Sequence, residues 1–192
     1  MSSPQGPRFR AAFSRAALAR ALAAHETRGL AERFDGRDVI EQRLGTDWVP
    51  ADVHMAFSEQ LRRALGDEGY QEFWRAVMLE VFDGPLLRPA IDSIIRLFGL
   101  KPGALAKHAP RFWPLFARGL GELSVERVEA DHAALRLTGF PREHFESLTF
   151  VVGFAGTLRA YLDLARHEGT SSWELVDVER GAALFTLRWS AR

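Results

Sequence analysis

Two stretches decide the fold: LGELSVERVEADHAALRLTGF at 120–140 and SSWELVDVERGAALFTLRWS at 171–190. In the first, Ala133, Leu135 and Leu137 alternate with His132, Ala134, Arg136 and Thr138. In the second, Ala183, Phe185, Leu187 and Trp189 alternate with Leu184, Thr186, Arg188 and Ser190. A period of two sends successive side chains to opposite faces, the signature of a half-buried strand. Each stretch therefore reads as a hairpin. Strands run over Leu120–Ala130 and Asp131–Gly139, then over Ser171–Arg180 and Gly181–Ser190, with turns at Ala130–Asp131–His132 and Glu179–Arg180–Gly181. The alternation of Leu123 and Val125 slips at Arg127–Val128, which predicts a bulge. Between the hairpins, about Glu143 to Arg166 reads as one long helix carrying Gly153 and Gly156.

Everything before this unit reads as helical. Phe9, Phe13, Ala17 and Ala21 recur every four residues, which predicts a helix over Arg8–His25. Asp38–Leu44 reads as one or two helical turns, and Asp47–Pro50 as a loop into the next helix. That helix, Ala51–Leu65, has a stripe of Val53, Ala56, Phe57, Leu61, Ala64 and Leu65; Gly66 ends it and Asp67 is placed to cap the following one. The next helix carries Tyr70, Phe73, Trp74, Val77, Met78, Val81 and Phe82 at helical spacing, up to the break at Asp83–Gly84–Pro85. A third carries Leu87, Ile91, Ile94, Ile95 and Phe98, with Pro89 in its first turn, where a missing N–H costs nothing. Ala104–Arg118 contains Pro110 and Pro114 and reads as two short helices with a kink.

The predicted class is α+β: an N-terminal helical layer on a four-stranded antiparallel sheet, with a long helix between two hairpins. The organisation expected is one domain over 1–192, with a tail at 1–7, a mainly helical part at 8–118 and the strand and helix unit at 119–192. At 192 residues the chain can bury a sizeable core, and 47% hydrophobic against 26% charged residues places it among ordinary globular proteins.

Charge and composition exclude several functions. Basic and acidic residues balance at 25 each, so the basic excess expected of a nucleic-acid binder is missing. Lys101 and Lys107 are the only lysines; this arginine bias, with abundant Ala and Leu, fits a GC-rich bacterial genome. Cysteine is absent, which removes disulfides, thiolate catalysis and Cys-based metal sites. The polar start at Met1–Pro7 lacks the apolar run of a secretion signal, and no apolar stretch is long enough to span a bilayer. A cytoplasmic location is expected.

No catalytic constellation is legible. The six histidines include no pair four apart on one helix, and neither a Gly-x-Ser-x-Gly elbow nor a phosphate-binding glycine run occurs. His144 beside Glu143 and Glu146 reads as a solvated helix start, and His108 as a satisfied, partly buried histidine on an apolar face. No metal, cofactor or catalytic residue is assigned. The aromatic set of Tyr70, Phe73, Trp74, Phe82, Phe98, Phe112, Trp113, Phe116, Phe154, Trp173 and Trp189 occupies core-type positions. Rings gathered where helices meet a sheet can also line an apolar pocket. Gly153 and Gly156, three apart, would let their helix approach a neighbour closely or leave a smooth face for a ligand.

The order of elements resembles a known fold. Phe112–Gly119 before the first strand, Val152–Leu158 in the helix and Ala183–Trp189 in the last strand carry a pattern similar to 4-vinyl-reductase-like domains, haem nitric-oxide-binding-like domains and TRAPP vesicle-tethering subunits. The pattern also resembles uncharacterised myxobacterial paralogous proteins of this length. It covers roughly 100–190. The departures are specific: some 4-vinyl-reductase-like domains carry cysteines, absent here, and haem nitric-oxide sensors carry a Tyr-x-Ser-x-Arg motif, which neither Tyr70 nor Tyr161 begins. The resemblance implies a ligand- or partner-binding domain without the family's metal or haem chemistry. Two functions are therefore expected as alternatives. One is a non-enzymatic sensory or regulatory domain holding a small apolar ligand between helices and sheet, with Trp74, Phe112, Phe116, Gly153 and Gly156 as its site. The other is a protein-interaction scaffold acting as a homodimer.

Overall fold

In the computed structural model the described residues are 6–85, 87–99 and 101–190, with residues 90, 94 and 98 described in backbone only. Residues 1–5 of the expected tail, and the side chains of Ile94 and Phe98, lie outside them. The elements in chain order are β1 (Arg8–Arg10), α1 (Ala11–Ala23), α2 (His25–Glu32), α3 (Arg37–Glu41), β2 (Trp48–Pro50), α4 (Ala51–Asp83), α5 (Arg88–Phe98) and α6 (Pro102–Phe116). They continue as β3 (Ala117–Arg118), β4 (Glu122–Val128), β5 (His132–Thr138), α7 (Arg142–Phe145), α8 (Thr149–Leu164), β6 (Gly169–Asp177) and β7 (Ala182–Trp189).

The two alternating stretches form the antiparallel sheet β4-β5-β7-β6. Their inward residues are buried as the period of two requires, with Ala133, Leu135 and Leu137 facing Leu187, Phe185 and Ala183 across β5 and β7. Register slips between Val125 and Arg127, at the expected bulge, and again between Leu175 and Asp177. Helix α8 covers one face: Phe154 meets Phe185 edge-on at 4.9 Å, and the Ser171 hydroxyl donates to the Ala155 carbonyl at 2.7 Å.

The α+β class stands, and several local readings are corrected. The helix expected over 143–166 is two, because Leu148 adopts φ 60° between α7 and α8. Arg62 braces that corner by donating to the Ser147 carbonyl at 2.5 Å. The kinked pair expected over 104–118 is a single helix, α6. Pro110 and Pro114 take half-buried and exposed positions on it, while Leu105, Ala109, Phe112, Trp113 and Phe116 hold the buried side together across the lost hydrogen bonds. Residues 8–10 and 48–50, expected as helix and loop, pair with each other, and 8–10 also with β3, in a second sheet ordered β2-β1-β3. Three-residue strands are too short to show an alternation.

Gly66 interrupts α4 at φ 69°, so the expected break is real. Asp67 does not cap the segment after it; its carboxylate accepts from Arg62 at 2.7 Å, which holds it below the usual carboxylate range. The buried stripe of the preceding segment is also rotated. Ala56 and Ala64 are exposed, whereas His54 and Ser58 point inward with Met55, Phe57 and Leu61. Composition alone assigns such polar residues to the surface. His54 can turn inward because α1 brings Ser14 to within 2.8 Å of its Nδ1.

Helix α8 packs along α4. The Gly156 position allows it: a Cβ there would lie 2.1 Å from the Gln71 carbonyl oxygen and 2.8 Å from its carbon. The same pair of helices is tied by Arg75, which donates to both Asp163 oxygens at 2.5 and 2.8 Å. Any side chain at 156 meets backbone, which cannot rotate away, so the helices must separate. Gly156→Ala should cost about 3 kcal/mol of stability despite alanine's higher helix propensity, read from the urea midpoint at constant m value.

Candidate functional site

A cavity of about 60 Å³ lies where α1, α4, α6 and α8 converge with β1. Phe9 and Phe13 close it on the N-terminal side, Trp113 and Phe116 from α6, and Phe150, Gly153, Phe154 and Thr157 from α8. Helix α4 contributes His54, Met55, Ser58, Tyr70 and Trp74. The walls are rings in mutual contact. Phe13 meets Phe116 edge-on at 4.6 Å, Trp113 meets Phe154 at 5.5 Å, and Phe150 stacks on Phe154 at 5.3 Å and on Phe140 at 4.0 Å. Offset and edge-on pairs of this kind hold rings rigidly, so the void keeps its shape.

The site residues expected from sequence divide. Trp74, Phe116 and Gly153 line the cavity together. Phe112 points elsewhere, packed with Phe82, Leu105 and Tyr161 where no room for a water remains. Gly156 lies one turn from Gly153, against the backbone of α4. The cavity sits among helices and β1; the described residues lining it include none from the four-stranded sheet.

Sequence reasoning passed over the polar part of the lining. His54 is 7% exposed, its Nδ1 is 2.8 Å from the Ser14 hydroxyl, and its ring lies 4.1 Å from Phe9 and 5.3 Å from Trp74, centroid to centroid. Burial, with a smaller push from His144, lowers its pKa to about 3, so the ring is neutral at physiological pH. Ser58 and Trp74 are 1% and 5% exposed, and neither the Ser58 Oγ nor the Trp74 Nε1 has a partner in hydrogen-bond geometry. Tyr70 stands next to both. Burial pushes its hydroxyl up, beyond any physiological titration, and the nearby Ser58 and Trp74 groups offset only part of that rise. The available signal was the i, i+4 spacing of His54 and Ser58 beside Met55 and Leu61, which marks one helix face.

Gly153 sets the size of the void. A Cβ there would lie 2.9 Å from Trp74 Cδ1 and 3.0 Å from the Tyr70 hydroxyl. Its absence leaves the donor edge of the indole uncovered.

Two other groupings differ in character. Glu129, Asp131 and His132 bring ligand-type atoms within 4.8 Å of one another at the β4–β5 turn, but the two acids are exposed and pair with Arg127 and His132. A solvent-open groove of about 720 Å³ is lined by Arg8, Arg43, Trp48, Asp52, Glu143 and His144, a mixture of both charges. Beside it Arg10 and Arg118 stack on the Trp48 ring at 3.9 and 4.3 Å.

No family model matches the chain, and no curated protein does. Solved structures do. One, from work on the function of haem distortion in the H-NOX family, superposes with a TM-score of 0.60 over 95% of both chains at 8% identity. Another, a Cs H-NOX mutant with 4-cyano-L-phenylalanine at site 5, gives 0.48 over 94% of this chain and 96% of that one at 9% identity. At such identity the first likeness is one of fold, and it agrees with the haem nitric-oxide-binding-like pattern read from the C-terminal half. Among the described residues no helix is long and apolar enough to cross a membrane.

The buried histidine has a measurable consequence. Below pH 6.5 the unfolded chain binds a proton on His54 that the folded chain refuses until about pH 3. The stability conferred is fully present above about pH 6.5 and is lost as pH falls toward 3. Between pH 6.5 and 4.5 the loss due to this residue should be about 2 kcal/mol. Urea denaturation across that window should show it as the difference in slope between the unmodified protein and His54→Gln.

Proposed function

We propose that this chain is a non-enzymatic sensory or regulatory domain that holds a small ligand in the cavity lined by Trp74, Phe116 and Gly153. The observation that carries the reading is the cavity itself: a ring-walled void, beside a glycine, in a fold shared with H-NOX domains. Fold alone does not confer function, so the argument rests on the site. No described residue lining it carries a charge, and the hydroxyl paired with His54, that of Ser14, is buried and is not part of the lining, which favours binding over catalysis. The kinship with 4-vinyl-reductase-like and vesicle-tethering domains, and with the myxobacterial paralogues, belongs to the same proposal.

Haem is the group that the study of the H-NOX neighbour concerns. The residues here do not fit it. His54 has suitable donor chemistry, a neutral imidazole with Nδ1 held by Ser14. The space is lacking, since about 60 Å³ is far below the roughly 300–1,000 Å³ of pockets for drug-sized ligands. Among the described residues lining the cavity there is no arginine or lysine to face the propionates such a group carries. Haemin titrated into the protein should give no saturable one-to-one Soret shift, and His54→Ala should leave that titration unchanged.

Xenon tests the cavity directly, because small apolar voids in proteins take it up. Crystals pressurised with xenon should show one atom between Trp74, Phe116 and Gly153. Gly153→Ala, which fills that space, should lose it; a protein that takes up none would remove the proposal. The homodimeric scaffold is the second reading. Its support is the unpaired edge of β6, where Leu175 and Val176 are 36% and 46% exposed, and sedimentation equilibrium decides it.

A further inference from the structure

Three polar groups of the cavity gather where Tyr70, Ser58 and Trp74 meet. Trp74 Nε1 and Ser58 Oγ are buried there without a partner, and Tyr70, whose Oη the absent Gly153 Cβ would approach to 3.0 Å, stands beside them. An indole N–H can only donate. Buried donors are nearly always satisfied, and an unsatisfied one carries the whole cost of its lost hydration. Both are more than nine-tenths buried at one void, and the Tyr70 hydroxyl, the neighbour they share, meets neither in good hydrogen-bond geometry, so an acceptor entering the void has donors to meet.

Elsewhere Phe9, Phe13, Phe116 and Phe154 present hydrocarbon, and His54, against Phe9, already holds Ser14 through its Nδ1, so a water molecule on that side would fall short of the two to four partners it needs. The occupant that satisfies both ends has an acceptor atom at one pole and an apolar body. Charge is excluded by the same walls, since an unpaired ion in an apolar site is strongly disfavoured and the one titratable base at the cavity, His54, is held neutral. Size follows by scaling: a cavity of roughly 150 Å³ accepts the six carbons of benzene, so one of about 60 Å³ takes about two to three heavy atoms.

We propose that the ligand is a compact, uncharged hydrogen-bond acceptor of about two to three heavy atoms, seated with its acceptor against Trp74 Nε1 and the Ser58 hydroxyl and its apolar end among Phe9, Phe13, Phe116 and Phe154. This rests on the small-ligand reading above and adds the chemistry that the ligand presents. Gly153 is the residue that keeps the donor pair accessible, and a side chain there would come to 2.9 Å from the indole.

Acetonitrile and propyne test it, because they share a shape and differ in one acceptor nitrogen. The indole ¹⁵N–¹H resonance of Trp74, assigned by its disappearance in Trp74→Phe, should move saturably as acetonitrile is added. Acetonitrile should bind about three- to tenfold tighter than propyne, the factor one net hydrogen bond contributes. Ser58→Ala removes an unsatisfied group, so it should fold at least as well, and it should reduce that preference. Equal affinity for the two probes would overturn the acceptor while leaving the cavity a small-ligand site. No saturable shift with either probe would overturn the acceptor and the small-ligand reading together.

Discussion

The contact between α4 and α8 is the constraint on which the rest depends. At Gly156 the two helices approach until no Cβ fits against the Gln71 carbonyl. Arg75 and Asp163 fasten them nearby with two charge-assisted hydrogen bonds. Because α8 also carries the sheet on its other side, through Phe154 against Phe185 and Ser171 against Ala155, this one separation sets the distance between the helical layer and the sheet. Helices α1 and α6 then close over what remains, and their Phe13 and Phe116 meet edge-on.

The cavity is a consequence of that geometry one turn away. Gly153 lies on the same face as Gly156, three residues earlier, but opposite it α4 presents the side chains of Tyr70 and Trp74 instead of backbone. Close approach plus a missing side chain leaves a gap bounded by rings too stiff to collapse into it. The same two-glycine spacing thus does two jobs, fixing a helix separation at one position and leaving a void at the other. Ser14 explains why His54 can face this apolar region, since one of its nitrogens is satisfied across α1 and α4 while burial keeps the ring neutral.

A fold shared with H-NOX domains at 8% identity illustrates how little of a site an architecture dictates. The positions where helices meet over α8 are occupied here by Phe9, Phe13, Phe116, Phe150 and Phe154, which leave room for a few atoms only. The chemistry of such a site comes from which side chains fill it, and these are hydrocarbon with a small polar end.

The sequence by itself determined the sheet and the helical stripes. Alternation over 132–138 and 182–189, and the spacing of Tyr70, Phe73, Trp74, Val77, Met78 and Val81, follow from local periodicity that survives in the folded chain. That Gly153, Trp74 and Phe116 turn inward was legible for the same reason, and all three line the cavity. Only tertiary structure decided the remainder. The inward turn of His54, with Ala56 and Ala64 left outside, is matched by Ser14, forty residues before it. The second sheet pairs residues as distant as Arg8 and Arg118, and Phe112 is separated from Phe116 by which neighbours each meets. Periodicity reports which face of an element turns inward. What that face encounters is set by long-range packing, which no local pattern encodes.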